Sequence, residues 1–368
     1  MFFFDFTSNE NISGGLFIVL FDEESLKLYL NRGLYGFLMT PINNDKVSPR
    51  SRHFSILADY ACSREGTDVF FFTKRKIYYG GKIYGNKDIG SFYINGLNSP
   101  LGRKTHANLF WDESPRYEAT DSPGVFKVKD SKKAQPFIFQ FSTTDDTGKY
   151  ITSDDLYFEL GKNYPYPLPS NSMQGLGFCT LTPGEVKELK SLLLKSENKI
   201  DYDNCEEVSK NGTETLFREG LYNITDDLVN EAQLEFTILS SLKPFSDFLS
   251  DDYILCRQVP ICPFKPMNMD RADICLYSLK NPIKNGTIPN VIIELKKDKS
   301  GATAKAYNQV VRYLDWIKSI TTSEEFNQVT AFLISPEVGK IKRNKVNSSY
   351  EKQIKIFCIN SNSFIKLQ

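Results

Sequence analysis

A small set of residues in the C-terminal half of this 368-residue chain could do chemistry together: Asp273, Glu294, Lys296 and a glutamate from an upstream helix. Glu294 and Lys296 follow Val291-Ile292-Ile293, which is apolar on both faces of its strand, so the strand is expected to be sandwiched between layers. Side chains alternate along a strand, which puts Glu294 and Lys296 on one face, about 6.6 Å apart at roughly 3.3 Å per residue. Asp273, between Ala272 and Ile274, holds a similar place in RADICLYS, residues 271–278. Burying unpaired charges is costly, and a divalent cation held by Asp273 and Glu294 would offset that cost. Hard oxygen ligands completed by water suit magnesium. Such an ion polarises a phosphodiester and lowers the pKa of a bound water, while Lys296 orients that water and stabilises the charge growing on the phosphorane. Glu231 or Glu235, at i and i+4 on one helical face, could add a third carboxylate; Gln309 and Tyr313 share a helical face in the same way.

The elements that must position these residues can be read around them. DDLVNEAQLEFTILSSLKPF carries helical apolar spacing from Leu228 to Leu242 and stops at Pro244. YILCRQVPI (253–261), RADICLYS and VIIELKK (291–297) read as strands, GATAKAYNQVVRYLDWIKSI as a helix, and TAFLISP and QIKIFCI as two later strands. Upstream, residues 1–160 alternate short aromatic and β-branched runs with Gly, Asn and Pro, the texture of a β-rich domain; helices are expected only at residues 22–30 and around Ile56–Ala61. KNYPYPLPSNSMQGLG (162–177) reads as a linker. TLTPGEVKELKSLLLK follows as a helix with Thr182 as N-cap, Pro183 at its first position and Glu185 completing a capping box. The division is thus 1–160, a connector at 161–225, and 226–368.

Composition limits the function classes. Forty-five Lys+Arg balance forty-five Asp+Glu, which argues against a surface that binds nucleic acid everywhere. The zero is not local: residues 71–110 carry net +6, residues 201–252 net −10 and residues 296–355 net +6. Two histidines leave little material for His-based metal or acid–base chemistry. Seven cysteines, odd in number and without CxxC spacing, indicate neither a disulfide framework nor a zinc ribbon. MFFFDFTSNE lacks a basic n-region and a cleavage site, and no run has the roughly 18 apolar residues of a membrane span, so a cytoplasmic protein without membrane association is expected.

Glu231/Glu235, Asp273, Glu294-Leu-Lys296 and Gln309-xxx-Tyr313, in the order helix, strand, strand, helix, resemble the PD-(D/E)xK nuclease superfamily. The text RADICLYS…NVIIELKKDKSGATAKAYNQVVRYLDWI is most similar to the NucS (EndoMS)-type nuclease domain, over residues 226–335. The resemblance implies a restriction-endonuclease-like αβ domain with a central mixed sheet. It makes Asp273, Glu294 and the Leu295 carbonyl metal ligands with Glu231 as the helix carboxylate, Lys296 the catalytic lysine, and Gln309 and Tyr313 active-site supports. Mg2+ is the implied ion, with Mn2+ substituting. The turn CPFKPMNMDR before Asp273 departs from the short Gly-containing hairpin of that pattern.

RHFSILADYACSREGTDVFFFTKRKIYYGGKIYG resembles the PUA-like barrels of the EVE, ASCH and YTH types over residues 50–140, which implies a nucleic-acid reader. Lys74, Arg75, Lys76, Lys82 and Trp111 are its candidate DNA contacts, with Lys297, Lys299 and Lys305 beside the nuclease site. The expected protein is a magnesium-dependent DNA endonuclease of mixed α and β class, a restriction enzyme sensing a modified base, dimeric at least on DNA. A mismatch or branched-DNA repair nuclease and a non-catalytic nucleic-acid-binding module are the alternatives.

Overall fold

The computed structural model describes residues 12–20, 22–37, 51–83, 85–86, 89–90, 92–94, 117–119, 126–128, 137–156, 158, 178–203, 231–240, 242, 245–249, 252–262, 270–296, 304–335, 350, 352–360 and 363–366. Aromatic and β-branched runs in the first half form short strands: β1 (Gly15–Val19), β2 (Leu34–Gly36), β3 (Asp68–Thr73), β4 (Lys76–Ile83), β5 (Gly85–Asn86), β6 (Ile89–Gly90), β7 (Phe92–Ile94), β8 (Tyr117–Ala119), β9 (Phe126–Val128), β10 (Phe137–Ser142) and β11 (Tyr150–Thr152). With β12 (Phe178–Leu181), strands β1–β4, β7, β10 and β11 build a curled mixed sheet in the order β12-β1-β3-β4-β10-β2, β11 pairing β4 and β7 pairing β10, while β5–β6 and β8–β9 form separate two-stranded sheets. The β1–β3 pair is parallel, with Leu16 opposite Val69. Helix α1 (Glu23–Arg32) leaves β1; the Asp22 side chain caps it by accepting from the Ser25 N–H, and Gly33 ends it at φ 59°. Helix α2 (Ser51–Cys62) precedes β3.

The β3–β4 hairpin turns through Lys74 and Arg75, both left-handed (φ 47° and 61°), the type I′ geometry that normally selects Asn-Gly. Holding two side-chain-bearing residues there costs on the order of 1 kcal/mol each. The Arg75–Asp154 contact (2.6 Å) is largely exposed to water and contributes little. Replacing Lys74 by Asn and Arg75 by Gly is therefore expected to stabilise the protein by about 1–2 kcal/mol, read as a higher urea midpoint. An unchanged or lower midpoint would contradict the strain.

Residues 178–203, expected as part of a connector, are woven into the first sheet. β12 adds antiparallel to β1. Helix α3 (Pro183–Lys195) has the expected capping box, with the Thr182 N–H donating to Glu185 Oε2 (2.7 Å), and packs Val186, Leu189 and Leu193 with Phe17, Phe70 and Tyr79. The Lys190 ammonium reaches the buried Asp68 carboxylate, which also accepts from Tyr79 Oη (2.7 Å). Phe-Cys-Thr-Leu is a β run lying directly after the Pro/Gly-rich stretch, and that stretch, residues 162–177, lies outside the described residues.

Glu185 is buried, and burial pushes its carboxyl from 4.5 up to about 7 against the pull of the Thr182 hydrogen bonds. A folded state with a raised carboxyl pKa keeps a proton that the unfolded chain has released, so its stability falls as pH climbs from about 4.5 to about 7. Glu185→Gln should accordingly gain about 2 kcal/mol relative to wild type between pH 5 and pH 7. Urea titrations at the two pH values would show an unchanged difference if the carboxyl were ordinary.

The second sheet carries the strands expected from residues 253–359 plus one more. Helix α4 (Glu231–Ser240) precedes β13 (Tyr253–Cys262), β14 (Asp270–Ser278) and β15 (Val291–Leu295); α5 (Ala304–Ile320) and α6 (Ser323–Asn327) lead to β16 (Thr330–Ser335), β17 (Ile354–Asn360) and β18 (Ser363–Lys366). Their spatial order equals their chain order. β13, β14 and β15 are antiparallel neighbours, β15, β16 and β17 run parallel, and β18 closes antiparallel. β15 is buried on both faces, as its apolar run predicts. Val291, Ile293 and Leu295 face a core shared with Leu234, Phe236, Phe332 and Phe357, and Ile292 faces Val310, Leu314 and Ile317 of α5. The first of these cores continues into Leu16, Leu57, Tyr60 and Phe139 of the N-terminal half, with Phe54 of α2 and Phe236 of α4 at 6.3 Å between ring centroids. One hydrophobic core thus runs through both sheets. Among the described residues, no helix is long and apolar enough to cross a membrane.

Candidate active site

The end of β15 and the start of β14 bring the expected carboxylates to one place. Asp273 and Glu294 are 8% and 1% exposed. The Leu295 N–H donates to Asp273 Oδ2 (2.7 Å), so the aspartate of one strand is fixed by the backbone of the next. Lys296 folds back along its strand, its Nζ 2.5 Å from Glu294 Oε1. From the other side, Tyr313 Oη lies 2.7 Å from the Arg271 carbonyl and 3.3 Å from Glu294 Oε2, its single proton serving one of the two at a time, and Gln309 Nε2 donates to Tyr313 Oη (2.6 Å). The i, i+4 pair on α5 therefore points at the ExK strand. Arg312 anchors the same helix to Asp270 at the start of β14 (3.0 Å).

The electrostatics are those of a site short of positive charge. Burial, then the neighbouring Glu294 carboxylate, push Asp273 well above the usual carboxylate range. Burial raises Glu294 too, with Lys296 and the Tyr313 hydroxyl pulling the other way. Burial pulls Lys296 down, but Glu294 beside it outweighs this and holds the ammonium above its ordinary value. Burial and Glu294 together raise Tyr313, which stays a neutral phenol and a donor.

The two helix glutamates separate. Glu235 is buried and committed to Arg257, whose Nε and NH2 donate to its two oxygens at 2.9 and 2.6 Å. Glu231, at the exposed first position of α4, acts through its charge on Asp273, Glu294 and Lys296, and the Glu235 charge acts on Asp273 more strongly than Glu231 does.

Residues that the sequence reading did not single out complete the surroundings. Arg257 also donates from NH1 to Asp59 Oδ2 of α2 (3.1 Å), forming a buried triad across α2, α4 and β13. Burial pushes Asp59 up to about 7 against the pull of Arg257, and the two carboxylates together hold the guanidinium firmly charged. Gln258, next along β13, donates to Asp273 Oδ1 (3.2 Å) and toward Glu235 Oε1 (3.4 Å). The signal was available in YILCRQVPI: an Arg-Gln pair inside an apolar strand poses the same burial question as Asp273.

Of the proposed nucleic-acid contacts, Lys74, Arg75, Lys76 and Lys82 lie on the β3–β4 hairpin. Lys74 and Lys76 each approach Glu23 (3.5 and 3.6 Å), Arg75 meets Asp154, and Lys76 sits 4.5 Å over the Tyr150 ring. Lys82 lines a cavity of about 170 Å3 with Tyr79, Asp146 and Lys190. Lys305 is exposed in the first turn of α5. Trp111, Lys297 and Lys299 lie outside the described residues, as do residues 263–269 of the long turn before Asp273.

Among the described residues no three His, Cys, Asp or Glu side chains converge as a closed metal cage. The donor set still suits magnesium, which keeps several waters and is held by one or two carboxylates. Burial disfavours the ionised form of both carboxyls beside the single Lys296 ammonium, and a divalent cation would supply the positive charge that stabilises it. No protein-family model, curated protein or solved structure matches the chain.

Proposed function

We propose that the chain is a magnesium-dependent endodeoxyribonuclease of the PD-(D/E)xK type, most similar in its C-terminal half to NucS-type nucleases. The observation that carries the reading is the junction of Asp273, Glu294 and Lys296 on adjacent buried strands, with Lys296 in contact with Glu294 and Leu295 holding Asp273. Asp273, Glu294 and the Leu295 carbonyl would hold the cation. In an extended strand a residue's N–H and C=O face the same side, and the Leu295 N–H faces Asp273. When bound, magnesium supplies Lewis-acid polarisation of the scissile phosphodiester.

The protein's own groups do the rest. Lys296, kept protonated beside Glu294, donates to the attacking water and to the charge growing on the phosphorane. Tyr313, held in place by the Gln309 amide, steadies the Glu294 carboxylate when its one proton turns from the Arg271 carbonyl to Oε2. Glu231 adds a carboxylate through water at the open edge. Glu235 serves Arg257 instead.

The N-terminal half is proposed as a PUA-like reader that limits cutting to modified DNA, which makes the protein a modification-sensing restriction enzyme. The support is its curled mixed sheet and the basic hairpin at residues 74–76. With each site cutting one strand, a double-strand cut needs two, so the proposal includes a homodimer on DNA, in the cytoplasm. Plasmids from modifying and non-modifying hosts, incubated with the protein and Mg2+, test the reading: one class should be cut. Equal cutting of both would remove the reader role and favour a repair nuclease; tight binding with no nicking of any substrate would leave a binding module.

A further inference from the structure

Gln258 occupies a conformation that its residue type does not favour. It lies within β13 with φ at 52°, in the left-handed region where an L side chain is strained, and the β13–β14 register slips just beyond it between Pro260 and Cys262. On either side of it the ladder is regular, with Arg257 opposite Ile274 and Val259 opposite Ala272. The local twist sends the Gln258 amide across to the neighbouring strand, where Nε2 meets Asp273 Oδ1 at 3.2 Å and lies 3.4 Å from Glu235 Oε1. A strained residue persists only when its surroundings hold it. Here they do: Arg257 ties the preceding position to Glu235 and Asp59, and its N–H donates to Thr180 Oγ1 (3.1 Å).

We propose that Gln258 is a positioning residue for the metal-binding aspartate, its side-chain amide and the Leu295 N–H together fixing the carboxylate plane of Asp273. The proposal rests on the nuclease reading. Asp273 receives one donor on each oxygen, from β13 on Oδ1 and from β15 on Oδ2. A carboxylate has about four acceptor sites, so each oxygen keeps one for a cation. Donors of this kind orient a ligand, and their loss typically lowers metal affinity about 10- to 100-fold. Because Glu235 is bound to Arg257, the second contact of the Gln258 amide fixes the amide itself rather than supplying a ligand.

Two variants separate positioning from folding. Gln258→Gly removes the donor and relaxes the backbone; Gln258→Met removes the donor and keeps the strained backbone at similar side-chain volume. Calorimetric titration of the full chain with Mn2+ alone, without DNA, is the measurement, with Asp273→Asn as reference and the thermal midpoint recorded for each protein. Both Gln258 variants are expected to bind Mn2+ about 10- to 100-fold more weakly than wild type, by similar factors although their thermal midpoints differ. If wild type binds, Asp273→Asn does not, and both Gln258 variants bind as wild type does, the positioning role is overturned and the nuclease reading stands. Affinity that tracks the midpoints also overturns it, since that is the mark of a purely structural residue. If wild type itself takes up no Mn2+, the nuclease reading falls and the positioning role with it.

Discussion

Arg257→Met is expected to destabilise the protein by about 3–5 kcal/mol, because it strands two buried carboxylates without a counter-charge. Arg257, Asp59 and Glu235 have side chains 8%, 4% and 4% exposed, and the guanidinium donates to both acids. The triad also joins α2 to α4 and β13, where the shared core runs between the halves of the molecule. Breaking a buried pair costs far more than deleting it whole. Arg257→Met combined with Asp59→Asn and Glu235→Gln should therefore recover most of the loss. Urea midpoints for the single and triple variants decide the matter. A single variant within about 1 kcal/mol of wild type would mean that the triad contributes no more than an exposed pair.

The second large effect concerns rate. Lys296→Ala should lower metal-dependent strand cleavage by about 10²- to 10³-fold, the range seen when one donor to developing transition-state charge is removed. DNA binding measured in Ca2+ should change little, since the effect lies on the chemical step. Arginine should not substitute, because a planar, delocalised guanidinium does not present the compact point charge that the Lys296 ammonium places beside Glu294. Equal losses in binding and cleavage would make Lys296 a DNA contact instead.

Much of the second sheet was legible because its residues answer to one period at a time. Val291-Ile292-Ile293 has no polar face, which read as a doubly covered strand and is one. The 3.6-residue spacing from Ala306 to Ile317 gave α5, and with it Gln309 and Tyr313 on the face toward Glu294. Thr182-Pro183-Gly184-Glu185 announced the capping box of α3 by local chemistry alone. Long-range pairing was not legible. Nothing local to Phe178–Leu181 says that it adds to β1, 163 residues away in chain number from Gly15 to Phe178, so a strand of the first sheet read as connector. That Glu235 pairs with Arg257 was illegible for the same reason: Arg257 lies on β13, and its second partner, Asp59, is 198 residues distant. The left-handed Gln258 had no signal at all, since no Gly or Asn marks it.

The most direct test of the central claim is cleavage of DNA carrying 5-methylcytosine, 5-hydroxymethylcytosine or no modification by wild type, Asp273→Asn and Glu294→Gln, each with Mg2+, Mn2+ or EDTA. Wild type is expected to break the modified DNA in either metal, to spare the unmodified DNA and to be inactive in EDTA, with no breaks above background for the two variants. Cleavage that survives EDTA, or proceeds at the wild-type rate without the Glu294 carboxylate, would contradict it.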